Sequence, residues 1–257
     1  MGDEIDIREC TTVEEFDRCV RLQREAFGLP DLELSPRRHL IVARSAGGFT
    51  LGAFDGAALV GFVLNQIAVR RSPETGAEET YGYSHMMAVA QEYQNRGVGA
   101  RLKWAQRARV VAEGRRFIRW TWDPVQSRNA HFNLKRLGVV VRSYAENYYG
   151  TDYSTVTGKF GEPLGLDSDR LVAEWNLDSP RVEALARGEA PEPPGEPAAA
   201  VAIPPNWGAL VREDPATARA ELLRVRAEFR AAFASGLVCA AFERDSSAPR
   251  YLFFREP

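Results

Sequence analysis

Between Ser84 and Gly99 the chain reads SHMMAVAQEYQNRGVG, an apolar strand running into a glycine-rich turn that opens a helix. Gly97 and Gly99 remove side chains where a backbone must approach a ligand closely, and the N–H groups from Arg96 to Ala100 would face outward as an anion site. With Gln94 and Arg96 beside them, these residues point to a phosphate-bearing ligand; the alternative is a tight packed turn. His85, on the strand before the loop, can change protonation near neutral pH. Strand alternation predicts Tyr83, His85, Met87 and Val89 on one face. The competing reading makes His85 a structural histidine and Met86, Met87 and Val89 plain core.

Other phosphate and nucleophile patterns fail. Lys159 follows Gly158, but Tyr153 and Phe160 stand where a Walker loop needs Gly and Ser or Thr. Gly82-Tyr83-Ser84-His85-Met86 lacks the last glycine of a nucleophile elbow, and no GxGxxG occurs.

These residues need a scaffold, and the flanking pattern supplies one. Glu4 to Cys10 reads as a strand. Thr12 caps a helix through Phe27, with Glu15 completing a capping box and Val13, Phe16, Val20 and Phe27 on one stripe. Ser35 and Pro36 open a short helix to Ser45. Phe49–Phe54 and Leu59–Val69 are strands joined at Asp55-Gly56, and a loop, Ser72 to Glu79, leads into a strand Tyr81–Ala90. A helix follows from Val98 to about Glu113, with Val98, Leu102, Ala105, Ala108 and Ala112 at helical spacing and Gly114 as its stop. Phe117–Trp122 is a strand, Arg128–Leu137 a helix stopped by Gly138, and Val139–Tyr144 a strand. The order predicts a mixed α/β sheet with helices on both faces. Beyond it come a strand Arg170–Leu177, a connector or edge segment Ala190–Pro205 holding six of the fifteen prolines, and a long helix from Asp214 with Leu222, Val225, Phe229 and Phe233 on one stripe. A hairpin, Leu237–Phe242 with Tyr251–Phe254, closes the chain.

Composition narrows the partners. Among 257 residues, 33 Lys+Arg face 35 Asp+Glu, a formal net charge of -2, which argues against nucleic acid as the main partner. Lys103, Lys135 and Lys159 are the only lysines, against 30 arginines. No apolar stretch approaches the ~18 residues of a membrane span, and the acidic N-terminus does not resemble a signal peptide, so a cytoplasmic protein with no membrane partner is expected. Cys10, Cys19 and Cys239 are scattered, which disfavours a disulfide framework, and with three histidines no metal site is expected.

Gln94-Asn95-Arg96-Gly97-Val98-Gly99 resembles the Q/R-x-x-G-x-G/A pyrophosphate loop of the GNAT superfamily, the acetyl-CoA-dependent N-acyltransferases. Asn129-Ala130 followed by Leu137-Gly138 resembles that superfamily's second motif, and the likeness covers roughly residues 4–150. The longer strings SHMMAVAQEYQNRGVGARLKWAQR and WTWDPVQSRNAHFNLKRLGVVV look like a subgroup found beside N-acylamino-acid racemases, some of whose members succinylate amino acids. The resemblance implies a GNAT-like fold over residues 1–160 and a C-terminal strand-helix-hairpin extension over 161–257. It implies acetyl-CoA or succinyl-CoA as co-substrate. The backbone of Met87, Ala88 and Val89 would meet the pantetheine amides, the loop from Gln94 to Ala100 would hold the pyrophosphate, and Asn129 would bond the pantetheine arm. Asn129 could instead cap its helix. The thioester would lie where the Tyr81–Ala90 strand and Phe117–Trp122 separate.

In the superfamily, bases occur at the positions of Tyr83 and His85. The tyrosine that commonly protonates the leaving thiolate is replaced by Leu134, leaving Tyr144, Tyr148, Tyr149 or water as candidates. Arg119, Arg128 and Arg142 are candidates for a substrate carboxylate, and Asp123 could orient an amine or cap the turn at Pro124. No cysteine accompanies His85, which favours direct transfer to a primary amine, such as that of an amino acid, over an acyl-enzyme. The alternatives are a catalytically idle acyl-CoA-binding module, kept open by Leu134, and a scaffold that forms a homodimer through the open edge of the closing hairpin.

Overall fold

The computed structural model describes residues 5–72, 75–152 and 165–255. Its contacts divide the chain into two compact units, one up to Arg119 and one from Trp120 onward.

The first unit begins with β1 (Asp6–Glu9) and α1 (Val13–Phe27). Thr12 and Glu15 close the expected capping box, Glu15 N–H donating to Thr12 Oγ1 and Glu15 Oε2 accepting from the Thr12 N–H. The inward stripe differs from the expected one. Phe16, Cys19 and Leu22 are buried, whereas Val13 and Phe27 lie exposed at the helix ends. A 3-10 turn (Asp31–Glu33) precedes α2 (Arg37–Ser45), and the antiparallel strands β2 (Phe49–Asp55), β3 (Ala58–Arg71) and β4 (Glu78–Val89) follow. A second 3-10 turn (Gln91–Tyr93) leads to α3 (Val98–Ala112) and then β5 (Phe117–Trp122). The strand order is β1-β2-β3-β4-β5, with β5 parallel to β4. The core under α1 and α2 joins Phe16, Cys19, Leu22 and Leu40 to Phe54, Phe62, Leu64 and Ala88.

The opposite face of the sheet meets α3, and its contact is partly polar. Val98, Leu102 and Val110 are buried as apolar side chains should be, but Lys103 and Gln106 are buried with them, while Ala108 and Ala112, expected inward, are exposed. Lys103 Nζ donates to Ser84 Oγ at 2.8 Å and to Gln106 Oε1 at 3.2 Å; Gln106 Nε2 donates to Asn65 Oδ1 at 2.9 Å. Burial draws the Lys103 ammonium pKa down to about 7. Charge and amide are accommodated because each finds a partner.

The second unit takes the end of β5 and continues with α4 (Ser127–Ala130), which widens into a π-helical stretch (His131–Arg136), then β6 (Val140–Ala145), β7 (Thr151–Asp152), β8 (Leu166–Asp167) and β9 (Arg170–Asn176). After these come α5 (Pro180–Ala186), β10 (Ala199–Ala202), α6 (Trp207–Glu213), α7 (Pro215–Ala234), β11 (Leu237–Glu243) and β12 (Arg250–Arg255). Its strands run β9-β6-β11-β12-β10. The proline-rich segment supplies β10 as the edge strand. The closing hairpin therefore does not offer the open edge expected of it: β10 covers β12, and β6 pairs β11. Phe229 of α7 packs on Tyr144, Tyr251 and Phe253 with ring centroids 5.0–5.6 Å apart. Cys10, Cys19 and Cys239 are free and buried. Among the described residues no helix is long and apolar enough to cross a membrane.

Replacing Gln106 with Leu would strip partners from Asn65, Ser84 and Lys103 at once. Each buried polar group left unpaired costs about 1–3 kcal/mol, so the denaturation midpoint of Gln106→Leu should fall clearly. An unchanged midpoint would mean the network does not stabilise the fold.

Candidate active site

The glycine loop is built as its residue types dictate. Asn95 and Gly97 both take left-handed backbone, at φ +62° and +82°. A Cβ placed on Gly97 would meet nothing within 4 Å, so glycine is required there by conformation and the space beyond it is open. Gly97 caps α3 and offers no side chain to its first-turn N–H groups. A Cβ on Gly99 would touch Met87 Cε at 3.4 Å, so there the glycine serves close helix–strand packing. Gln94 Nε2 donates to the Val89 carbonyl at 3.0 Å, tying the loop back to the strand end, and the Arg96 guanidinium lies over the Tyr93 ring.

Strand β4 departs from simple alternation. Asn65 is opposite Ser84 and Leu64 opposite Met86, so His85 is an extra residue, a β-bulge. Past the bulge the faces exchange. Ser84 and Met87 turn to α3, against Lys103 and Gly99. His85 turns to α2, and Met86 packs with the core under α1 and α2. The expected single face is thus corrected: Tyr83 and His85 share the α2 side, while Met87 and Val89 lie on the α3 side, both within 4 Å of a Cβ built on Gly99. The register with β5 is set at Gly82–Ile118 and Tyr83–Arg119, just before the bulge.

His85 is half-buried. Its Nε2 lies 3.2 Å from Ser35 Oγ, and its ring stands edge-on to His39 with centroids 5.1 Å apart. The Gln66 amide nitrogen is 2.8 Å from His39 Nε2. Burial first, then the neighbouring imidazole, lower the His85 pKa to about 4, so the ring is neutral and carries a lone pair throughout the physiological range.

The other candidates, Arg119 apart, belong to the second unit. Asn129 lies exposed in the first turn of α4 and does not cap it. Leu134 is completely buried in the π-helical stretch and donates no side-chain proton. The Tyr144 hydroxyl donates to Asp169 Oδ2 at 2.6 Å; burial, together with that carboxylate, raises its pKa, which keeps it protonated. Tyr148 and Tyr149 stack edge to face on the surface. Arg142 is ion-paired with Glu174 at 2.7 Å, and Arg128 lines a cavity of about 510 Å³ with Asn206, Trp207 and Arg244. Arg119 Nε, in the first unit, is buried without a hydrogen-bond partner among the described residues. Asp123 accepts from the Val125 N–H and Gln126 Nε2, as a turn-capping carboxylate does.

Sequence reasoning missed Ser35 as a partner of His85, and gave no site role to Gln23, His39, Gln66, Lys103 or Gln106. Only Lys103 carried a signal, as one of three lysines in an arginine-rich chain.

Residues 13–138 match the family model described as the Acetyltransferase (GNAT) family. The ribosomal-protein-S18-alanine N-acetyltransferase from Escherichia coli superposes with a TM-score of 0.53 at 13% identity, covering 68% of this chain and 96% of that one. NAA60 from Arabidopsis thaliana, solved in complex with acetyl-CoA, gives 0.52 at 14% identity, covering 67% and 99%. The fold is that of the GNAT acetyltransferases. The matching family is one of acyl-CoA-dependent N-acyltransferases, and the chain is an enzyme of that type. No curated protein matches it.

The His85 pKa makes stability pH-dependent in a definite sense. A value depressed from 6.5 to about 4 means the unfolded chain binds the extra proton in that window, so this contribution is complete above pH 6.5 and is lost as pH falls toward 4. The native protein should therefore lose stability relative to His85→Gln as pH drops from 6.5 to 4, compared with their difference at pH 7.5. A difference independent of pH would show that His85 is not held neutral.

Proposed function

We propose that this enzyme transfers an acyl group, acetyl or succinyl, from acyl-CoA to the primary amine of a small molecule such as an amino acid, by direct attack on the thioester. The observation that carries the reading is the first turn of α3, uncapped and open beyond Gly97, at the end of the strand whose bulge turns His85 away from it. Amides from Arg96 to Ala100, with Gln94 and Asn95 shaping the loop, would hold the diphosphate. The backbone of Met87, Ala88 and Val89 would receive the pantetheine as an added strand, and Asn129 would bond its arm. Residues 1–160 would form the acyltransferase core and 161–257 its extension; the family match over 13–138 falls within the first.

In the reaction the amine lone pair forms the N–C bond at the thioester carbon. The C–S bond then breaks, and the amine releases a proton while the departing thiolate gains one. His85, neutral at working pH, would accept the amine proton directly or through a water, with Tyr83 on the same side of β4 as the neighbouring candidate. Tyr144 keeps its proton, as an acid must, but holds it toward Asp169, which favours water for thiolate protonation.

Two variants test this reading. Asparagine tolerates left-handed backbone, so Gly97→Asn should fold while its side chain enters the open space over the amides. Its CoA affinity by calorimetry should fall about tenfold or more, about 1.4 kcal/mol; unchanged affinity would remove the phosphate assignment. His85→Gln should keep CoA affinity and lose about 10²–10⁴-fold in acyl transfer at pH 7, measured as thiol release from acetyl-CoA and succinyl-CoA with amino-acid acceptors, with a smaller loss at high pH. A near-native rate would transfer the role to Tyr83 or solvent.

A further inference from the structure

Ser35 precedes α2 where a hydroxyl could cap the helix, yet Pro36 occupies the cap position and α2 has no side-chain cap. The expectation that Ser35 opens the helix therefore accounts for its place in the chain but not for its hydroxyl. That hydroxyl lies on His85 Nε2, at 3.2 Å. Its position is set from behind. Gln23, buried within α1, grips the Ser35 main chain from both sides: Ser35 N–H donates to Gln23 Oε1 at 2.9 Å, and Gln23 Nε2 donates to the Ser35 carbonyl at 3.1 Å. A buried amide thus anchors Ser35 much as a strand partner would, and Pro36 restricts its backbone further. Beside it, the Gln66 amide nitrogen lies 2.8 Å from Nε2 of His39, whose ring stands edge-on to His85.

We propose that Ser35 is a positioning residue for proton transfer: its hydroxyl accepts the Nε2–H of His85, fixing the ring in the tautomer whose Nδ1 lone pair takes the amine proton. This rests on the reading of His85 as the base. A neutral imidazole has two tautomers, and the hydrogen bond made by one nitrogen decides which lone pair the other presents. A hydroxyl donating to Nε2 would instead occupy the lone pair and leave Nδ1 protonated, with nothing for the amine proton to join. The bulge makes the contact possible, because it places the extra residue of β4 against the segment that opens α2.

The test uses the full chain and three variants, Ser35→Ala, Ser35→Thr and His85→Gln, with side-chain ¹⁵N spectra of the histidines, steady-state kinetics and CoA calorimetry. The native protein should show His85 protonated on Nε2. In Ser35→Ala the two nitrogen shifts should converge as the tautomers mix. Its kcat should fall about 10–100-fold, the scale found when the partner of a ligating histidine's second nitrogen is removed. KM for acyl-CoA and CoA affinity should be unchanged, and Ser35→Thr should restore both tautomer and rate. A native His85 protonated on Nδ1, or a Ser35→Ala enzyme with native kcat, overturns the proposal, and the native spectrum decides even if the alanine variant fails to fold. If His85→Gln keeps the native rate, the base assignment itself fails; if it is impaired while Ser35→Ala is not, only the role of Ser35 is lost.

Discussion

Inserting His85 as an extra residue between two paired positions of β4 reverses which side of the sheet every later side chain faces. That reversal has to be held in place, since a ladder with one unmatched residue could shift its register and move the whole strand end. Here polar contacts pin it on both faces. Under α3, Ser84 is held by Lys103 and Gln106, with Asn65 accepting from Gln106 in turn; under α2, His85 is held by Ser35 with His39 and Gln66 behind it. Asn65 and Gln66 are consecutive on β3, so one strand anchors the bulge from both sides. The rest of the first unit follows from this: the apolar core can close over Met86 and Ala88, and Met87 can pack on Gly99.

Buried polar networks of this kind are demanding, because a missing partner costs more than a made bond returns. Lys103 illustrates the selection. An arginine head is larger, rigid and always charged, whereas an ammonium is compact and can shed its proton when desolvated. A chain that otherwise prefers arginine so strongly keeps lysine at the one place where α3 must bury a cation against Ser84. In the second unit the equivalent charge goes to Arg226, whose planar fork meets Asp167 and the buried Asp169. Asp169 also receives the Tyr144 hydroxyl, which links that candidate acid to a structural ion pair.

Much of this was legible in the sequence because its signals are local. The capping box at Thr12, the Asp55-Gly56 turn, the glycine loop and the confinement of the proline-rich segment to a connector or edge each depend on residues within a few positions. The bulge had no such signal, since a strand read by alternation assigns His85, Met87 and Val89 to one side, and only the pairing partner shows otherwise. The inward face of α3 was misread for a related reason: alanines at helical spacing looked like the buried stripe, while the polar side chains of Lys103 and Gln106 turned inward to meet partners remote in sequence. Helix α5 did carry a readable start, Ser179 capping it with Pro180 behind, and was overlooked between a strand and a proline-rich run. The hydroxyl of Ser35 was legible only as a helix start, because its true partner lies fifty residues away.

The central claim is that acyl-CoA is held by the end of β4 and the first turn of α3. Amide hydrogen exchange with and without saturating CoA tests it at the residues concerned, provided calorimetry on the same sample shows binding. The account predicts slowed exchange from Met87 through Ala100, strongest at the amides from Arg96 to Ala100. Bound CoA with no change in exchange across that segment would contradict it.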